Sequence, residues 1–274
     1  MTAVDSSTAA IEAVRVPYVT ADEAYALLRT ELERLLALAE SLGQDDWARP
    51  TACTEWTVRD MLAHQAGSYA SGTSYREMIH QYLARPKPGQ LPEDAVNALQ
   101  LAERADTSAA QLIAEIRRVG PIAIHKWAYQ FRVFKLLSVP HPVPGRLSMR
   151  HLMWVIHSRD TWMHRLDICR ATGRTFEQTP GHDDRIAALV MRDVAITLSQ
   201  KLDQRAVVFE LSGVAGGVWK VGAGWTTATI RMDALDFNIY ASGRFSYDEV
   251  RTKTSLSDDI ALAELALKQT QALY

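Results

Sequence analysis

The chain has 274 residues, 47% of them hydrophobic and 23% charged, which is enough for two modest domains. Its 30 basic and 32 acidic side chains leave a net charge of −2, so no one-signed field exists to attract nucleic acid or an anionic membrane. No uninterrupted apolar run approaches the ~20 residues of a bilayer span, and two cysteines, Cys53 and Cys169, make no disulfide framework.

Residues 1–17 read as a frayed, polar tail ending at Pro17. The tail lacks the basic start and apolar core of a secretory signal, so a cytoplasmic protein is expected. Thr20-Ala-Asp-Glu23 is a capping box, and Ala24, Leu27, Leu28, Leu32, Leu35 and Leu36 follow at helical spacing up to a stop at Gly43. A loop over 44–56 carries Trp47, Pro50, Cys53 and Trp56. Thr57, with Asp60 three residues on, opens a second helix predicted to reach about Leu83. The three prolines of 85–92 make a connector. A third helical region covers about 93–135, with a restart at Ser108 and a break at Gly120-Pro121. Residues 138–147, rich in proline, form another connector. Ser148 then caps a fourth helix that ends near Gly173. Four helices joined in this way suggest a bundle.

Beyond residue 175 the texture changes. Residues 181–203 read as one more amphipathic helix. Ala206–Ser212, Val218–Val221 and Trp225–Met232 read as strands, the last alternating with period two. Residues 233–241 look helical, Ser242–Ser246 is a turn, and 257–272 is a closing helix. The expected fold is therefore a mix: a four-helix bundle over 18–175, followed by a small α+β domain over 176–274.

The chemistry-bearing residues fall on the second and fourth helices. Asp160 and His164 are four apart and share a helical face, so a carboxylate and an imidazole can chelate one ion there. His157 is three before Asp160 on that face, and Asp167 is three after His164, where it could orient the imidazole. His64 sits among apolar neighbours on the second helix, which a bundle can bring opposite this pair. Three protein ligands would leave a position open on a metal, as catalytic rather than structural zinc sites do. Spacing alone takes these residues no further than a candidate metal site in a helical bundle, because Asp-x-x-x-His pairs also arise by chance.

The stretch Cys53-Thr-Glu-Trp56-Thr-Val-Arg-Asp60-Met-Leu-Ala-His64, with Asp160-x-x-x-His164-x-x-Asp167, resembles the two signatures of the mycothiol-dependent maleylpyruvate isomerase family. That family belongs to the DinB-like metal-binding four-helix bundles. Gly217-Val-Trp-Lys220 and Ala234 through Arg244 resemble its small sterol-carrier-like second domain, so the likeness runs over about 20–270. The resemblance implies one zinc ion per chain, held by His64, Asp160 and His164. It implies mycothiol as the thiol cosubstrate and a small-molecule electrophile as acceptor, in a monomer or homodimer. It also puts Arg244, in a Ser-Gly-Arg turn, where the family has an arginine facing the active site; a surface arginine is the other reading. A metal-activated thiolate would then add to the electrophile, either remaining attached as an S-conjugate or leaving again after cis–trans isomerisation. A metal-binding bundle with a regulatory or stress role is the alternative.

Two departures stand out. Asp160 replaces the usual Glu and is one methylene shorter, which makes His157 a possible stand-in. The usual Cys-Pro-Gly-Trp becomes Cys53-Thr-Glu-Trp56. The departures favour an S-transferase or a specialised relative over the isomerase itself. The aromatic run Trp127, Tyr129 and Phe131 reads either as core or as the lining of a larger acceptor pocket.

Overall fold

The structure, a computed structural model, describes residues 9–274 except Thr54, Val143 and Pro144. The first eight residues of the predicted tail therefore lie outside the described residues, as do two positions of the second connector. The chain forms two compact units: Val19–Phe176 with Tyr274, and the described residues up to Tyr18 with Glu177–Leu273.

The predicted tail is not frayed over its described part. Ile11–Glu12 form a short strand (β1) that pairs in parallel with a later strand of the second unit, and the following 3-10 turn buries Ala13. An extended pair of residues gains its order from the sheet it joins, which local sequence does not announce.

In the first unit, α1 (Ala21–Glu40) is capped by Thr20, whose hydroxyl accepts from the Glu23 amide at 3.2 Å. The second predicted helix is two helices, α2 (Val58–Ser71) and α3 (Tyr75–Tyr82). The Thr57–Asp60 capping box opens α2 as expected. Gly72 and Thr73 interrupt the run, and Ser74 caps α3 through the Glu77 amide. The third region likewise divides into α4 (Pro92–Ala102), with proline at its first turn, and α5 (Ala109–Tyr129), capped by Ser108.

No break occurs at Gly120-Pro121; α5 runs through both. Gly120 packs so closely under Leu32 that an added Cβ would lie 2.7 Å from Leu32 Cδ1. The tertiary contact outweighs the local cost of an interior proline. The second connector is in fact a hairpin, β2 (Ser138–His141) with β3 (Gly145–Ser148). A short α6 (Met149–His151) then leads through one π-helical segment, Leu152–Ile156, into α7 (His157–Thr172). Gly173, at φ +70°, ends α7 in the left-handed conformation that glycine adopts cheaply.

Helices α1 and α2 each pack on both α5 and α7, which makes the four-helix bundle. α2 is the central element, buried on every face from Met61 to Ser71. A helix so enclosed cannot carry polar side chains unless each finds a partner. Leu35, Met61, Leu62, Leu112, Ile116 and Trp127 fill the core around it.

In the second unit, α8 (Asp183–Leu198) precedes β4 (Ala206–Ser212), β5 (Gly217–Gly222) and β6 (Thr226–Asp233). Then come α9 (Ala234–Ala241), α10 (Tyr247–Thr252), β7 (Ser255–Asp258) and α11 (Ile260–Lys268). The mixed sheet has the order β1-β5-β4-β6-β7. Five strands rather than three complete it, because the edge strands β1 and β7 are too short to show a period.

Candidate metal centre

His64, Asp160 and His164 converge in the bundle. Their donor atoms all lie within 4.8 Å of one another. His64 Nε2 is 3.3 Å from Asp160 Oδ2, and His164 Nε2 is 3.2 Å from Asp160 Oδ1. One carboxylate thus faces two imidazoles, one from α2 and one from a turn further along its own helix. Asp160, though shorter than a glutamate, reaches the cluster with both oxygens.

Each member is oriented by a neighbour. Gln65 donates to Asp160 Oδ2 at 2.6 Å and accepts from the Thr161 hydroxyl at 2.8 Å. His64 Nδ1 lies 2.8 Å from Gln100 Oε1, and His164 Nδ1 lies 3.4 Å from Asp167 Oδ2. The place of Asp167 is the one its spacing suggested. Trp56 packs on both imidazoles, its ring 5.1 Å from that of His64 and 5.9 Å from that of His164. Cys53 Sγ is 4.0 Å from Asp167 Oδ2, behind His164.

Burial alone would raise the Asp160 carboxyl. The charges of His164 and His64 and hydrogen bonds from both rings outweigh it and hold the group well below the usual carboxylate range. Asp160 is thus an anion between two Nε2 atoms, a donor set of two imidazoles and a carboxylate that fits zinc or a similar divalent ion. Among the described residues, two other groups also have the spacing to hold a metal: Cys53, His164 and Asp167, which share His164 with this donor set, and the more exposed Glu77, His80 and Glu103.

His157 does not substitute for Asp160. Its ring lies flat on Trp127, with centroids 3.9 Å apart and planes 11° apart. Its Nδ1 is 3.3 Å from the Ser68 hydroxyl, and burial pushes its pKa down to about 4. The unfolded chain titrates this residue near ~6.5. As pH falls below that value the unfolded state takes up the proton first. The stability from neutral His157 is complete above ~6.5 and is lost as pH falls through about 4. Urea melts at pH 7 and 4.5 should show a smaller loss in His157→Phe than in the unaltered chain; equal losses would exclude His157 as the cause.

Of the aromatic run, Trp127 and Phe131 take the core reading, whereas Tyr129 is exposed and donates to Asp22. Trp127 is 1% exposed, packs on Tyr69 and His157, and Phe131 is buried beside Tyr75. In the second unit, Arg244 follows α9 in a tight cap. The Gly243 amide donates to the Tyr240 carbonyl and the Arg244 amide to the Ile239 carbonyl, with Gly243 at φ +80°. This Schellman turn requires the glycine and fixes where half-buried Arg244 leaves the helix.

Reasoning from sequence missed Gln65, Gln81 and Gln100. A signal was available for Gln65 alone, on a helix with little room for an unpaired amide, where it is fully buried; Gln81 and Gln100 lie on α3 and α4, which bury few other residues.

A four-helix bundle with two imidazoles and one carboxylate converging from α2 and α7 is the architecture of a helical-bundle protein with a candidate mononuclear metal centre. The family profile described as the mycothiol maleylpyruvate isomerase N-terminal domain matches residues 28–169, just over half of the chain, and the chain belongs to that family. Two solved structures share its fold, one of the mycothiol-dependent maleylpyruvate isomerase and one of a histidine-to-alanine variant of that enzyme. Each is 15% identical and aligns over 87% of this chain and 93% of its own, with TM-scores of 0.56 and 0.54. A search of curated protein sequences finds no match. No helix among the described residues is long and apolar enough to cross a membrane.

Proposed function

We propose that the chain is a zinc- and mycothiol-dependent enzyme that acts on a small electrophile, as an isomerase of the maleylpyruvate type or as an S-transferase. The observation that carries this reading is the convergence of His64, Asp160 and His164, the three positions the family resemblance marks as ligands. Membership of the family supports the thiol.

His64, Asp160 and His164 would hold the ion. Zinc would supply Lewis acidity there, lowering the pKa of a coordinated thiol from its free ~8.5 so that its proton passes to water. The chain's own residues do the rest. The anionic Asp160 offsets the ion's charge, and Gln65 holds that carboxylate in place through Oδ2. Asp167 holds the His164 ring from behind. The Trp56 indole covers one side of both imidazoles and excludes water from them. By the family resemblance, Arg244 would bind a carboxylate of the acceptor or an enolate oxygen formed from it.

With an acceptor bearing a conjugated double bond, the thiolate forms a carbon–sulfur bond and the electron pair moves to the carbonyl oxygen. Rotation and loss of the thiolate give the isomer, whereas protonation of the carbanion gives the conjugate. Incubation with mycothiol and a panel of electrophiles, read by mass spectrometry, separates the two outcomes. Arg244→Ala should raise KM for carboxylate-bearing acceptors by about ten- to a hundredfold while zinc content is unchanged. A zinc-loaded chain that turns over no acceptor would favour the regulatory alternative.

A further inference from the structure

A buried chain of amides leads from the backbone of α2 to the candidate ligand His64. Gln81 Nε2, on α3, lies 2.9 Å from the Gly67 carbonyl oxygen and 3.0 Å from Glu77 Oε1. Both of these atoms only accept, so the amino group of Gln81 faces them. The Gln81 oxygen therefore faces α4, where it accepts from Gln100 Nε2 at 2.8 Å. That leaves Gln100 Oε1 toward His64, at 2.8 Å from Nδ1. Both ring nitrogens face an acceptor, but Nδ1 is the closer, 2.8 Å from Gln100 against 3.3 Å for Nε2 from Asp160 Oδ2, and that oxygen already accepts from Gln65 at 2.6 Å, so a neutral ring carries its proton on Nδ1. Its lone pair is then on Nε2, the atom 3.3 Å from Asp160.

Packing reserves the path. Gln81 and Gln100 are 1% and 3% exposed. A Cβ on Gly67 would sit 2.5 Å from Gln100 Cγ and 2.6 Å from its Cβ, so only glycine lets α4 bring this side chain across α2. The direction of every bond is fixed from the Gly67 carbonyl outward, which cannot reverse its polarity.

We propose that Gln100 is a positioning residue for the metal centre, holding the His64 proton on Nδ1 and so keeping Nε2 as the metal-facing atom. This rests on the reading of His64 as a ligand. Carbonyl or carboxylate partners of metal-binding histidines commonly fix ring orientation in this way, and their loss costs roughly ten- to a hundredfold in metal affinity.

The test uses the full chain with its histidine rings labelled with nitrogen-15. Ring nitrogen shifts of His64 are recorded without metal about two pH units above the ordinary imidazole pKa of ~6.5, and zinc affinity is measured by chelator competition. The unaltered chain should show the Nδ1–H form. Gln100→Leu should lose that preference and bind zinc about ten- to a hundredfold more weakly. Gln100→Glu, which still accepts from Nδ1 although it gives Gln81 Oε1 no donor, should restore the Nδ1–H preference. The Nε2–H form in the unaltered chain, or unchanged tautomer and affinity in Gln100→Leu, overturns the proposal. Should Gln100→Leu fail to fold, the unaltered chain's ring signal still decides, and Gln100→Met, closer in shape, replaces it. An unaltered chain that takes up no zinc overturns the metal reading instead, and its ring signal continues to test Gln100 independently.

Discussion

His64→Ala is expected to abolish zinc uptake, from about one ion per chain to almost none by elemental analysis, and to reduce thiol transfer to the uncatalysed background. Three protein ligands are few, and the loss of one leaves Asp160 and His164 on a single helix, a chelating pair without an opposing donor. The fold should survive. The bundle core is built from Leu35, Met61, Leu62, Leu112 and Ile116, none of which needs the ion. A normal melting curve with no zinc is therefore the informative result. Full zinc content in His64→Ala would remove His64 from the site, and with it the meeting of α2 and α7 at one ion. Asp160→Asn sharpens the test. It keeps the shape and removes the charge, so the Gln65 bond loses its anionic acceptor and zinc should again be lost. If Asp160→Asn kept its zinc, the carboxylate would be an onlooker.

How much of this the sequence disclosed follows from the range of each interaction. The capping boxes at Thr20 and Thr57 were legible because their partners lie three residues away. Asp160 and His164 were legible as a pair for the same reason, four apart on one helix. His64 could only be nominated, from its apolar neighbours on the second helix of a bundle, and the family signature made it specific, since nothing local says that α2 meets α7. Gln100 was invisible. Its role depends on a helix crossing at Gly67, and a glutamine near the end of a short amphipathic helix looks like any solvated residue. The continuity of α5 through Pro121 and the strand β1 were missed for a related reason: each is imposed by a distant element, Leu32 in one case and β5 in the other.

The same reasoning applies to Glu31, which sits within the apolar stripe of α1, three residues after Leu28 and four before Leu35. Leucines on either side predict a core face, and a carboxylate there demands a partner. One partner is Arg165 of α7, whose Nη1 reaches Oε1 at 3.1 Å and Oε2 at 2.8 Å, with Arg34 of α1 at 3.8 Å beside it. Glu31 is fully buried and the Arg165 side chain is 3% exposed. Arg165 adjoins His164, so this pair ties α1 to the stretch of α7 that bears the candidate ligands. Glu31→Ala is expected to cost about 3–5 kcal/mol, because it removes a bidentate carboxylate from a buried guanidinium. The Phe176 ring, 4.9 Å away, is a weak substitute. For a unit of this size the midpoint of thermal unfolding should fall by roughly 10 °C. The pair need not be a net source of stability, however, since both ions lose their hydration. Glu31→Leu combined with Arg165→Met should recover most of the loss, to within about 1–2 kcal/mol of the unaltered chain. If Glu31→Ala alone were neutral, the buried charge would have found water. If the double variant stayed as unstable as the single one, the pair would be supplying fit between α1 and α7 that apolar side chains of similar volume cannot.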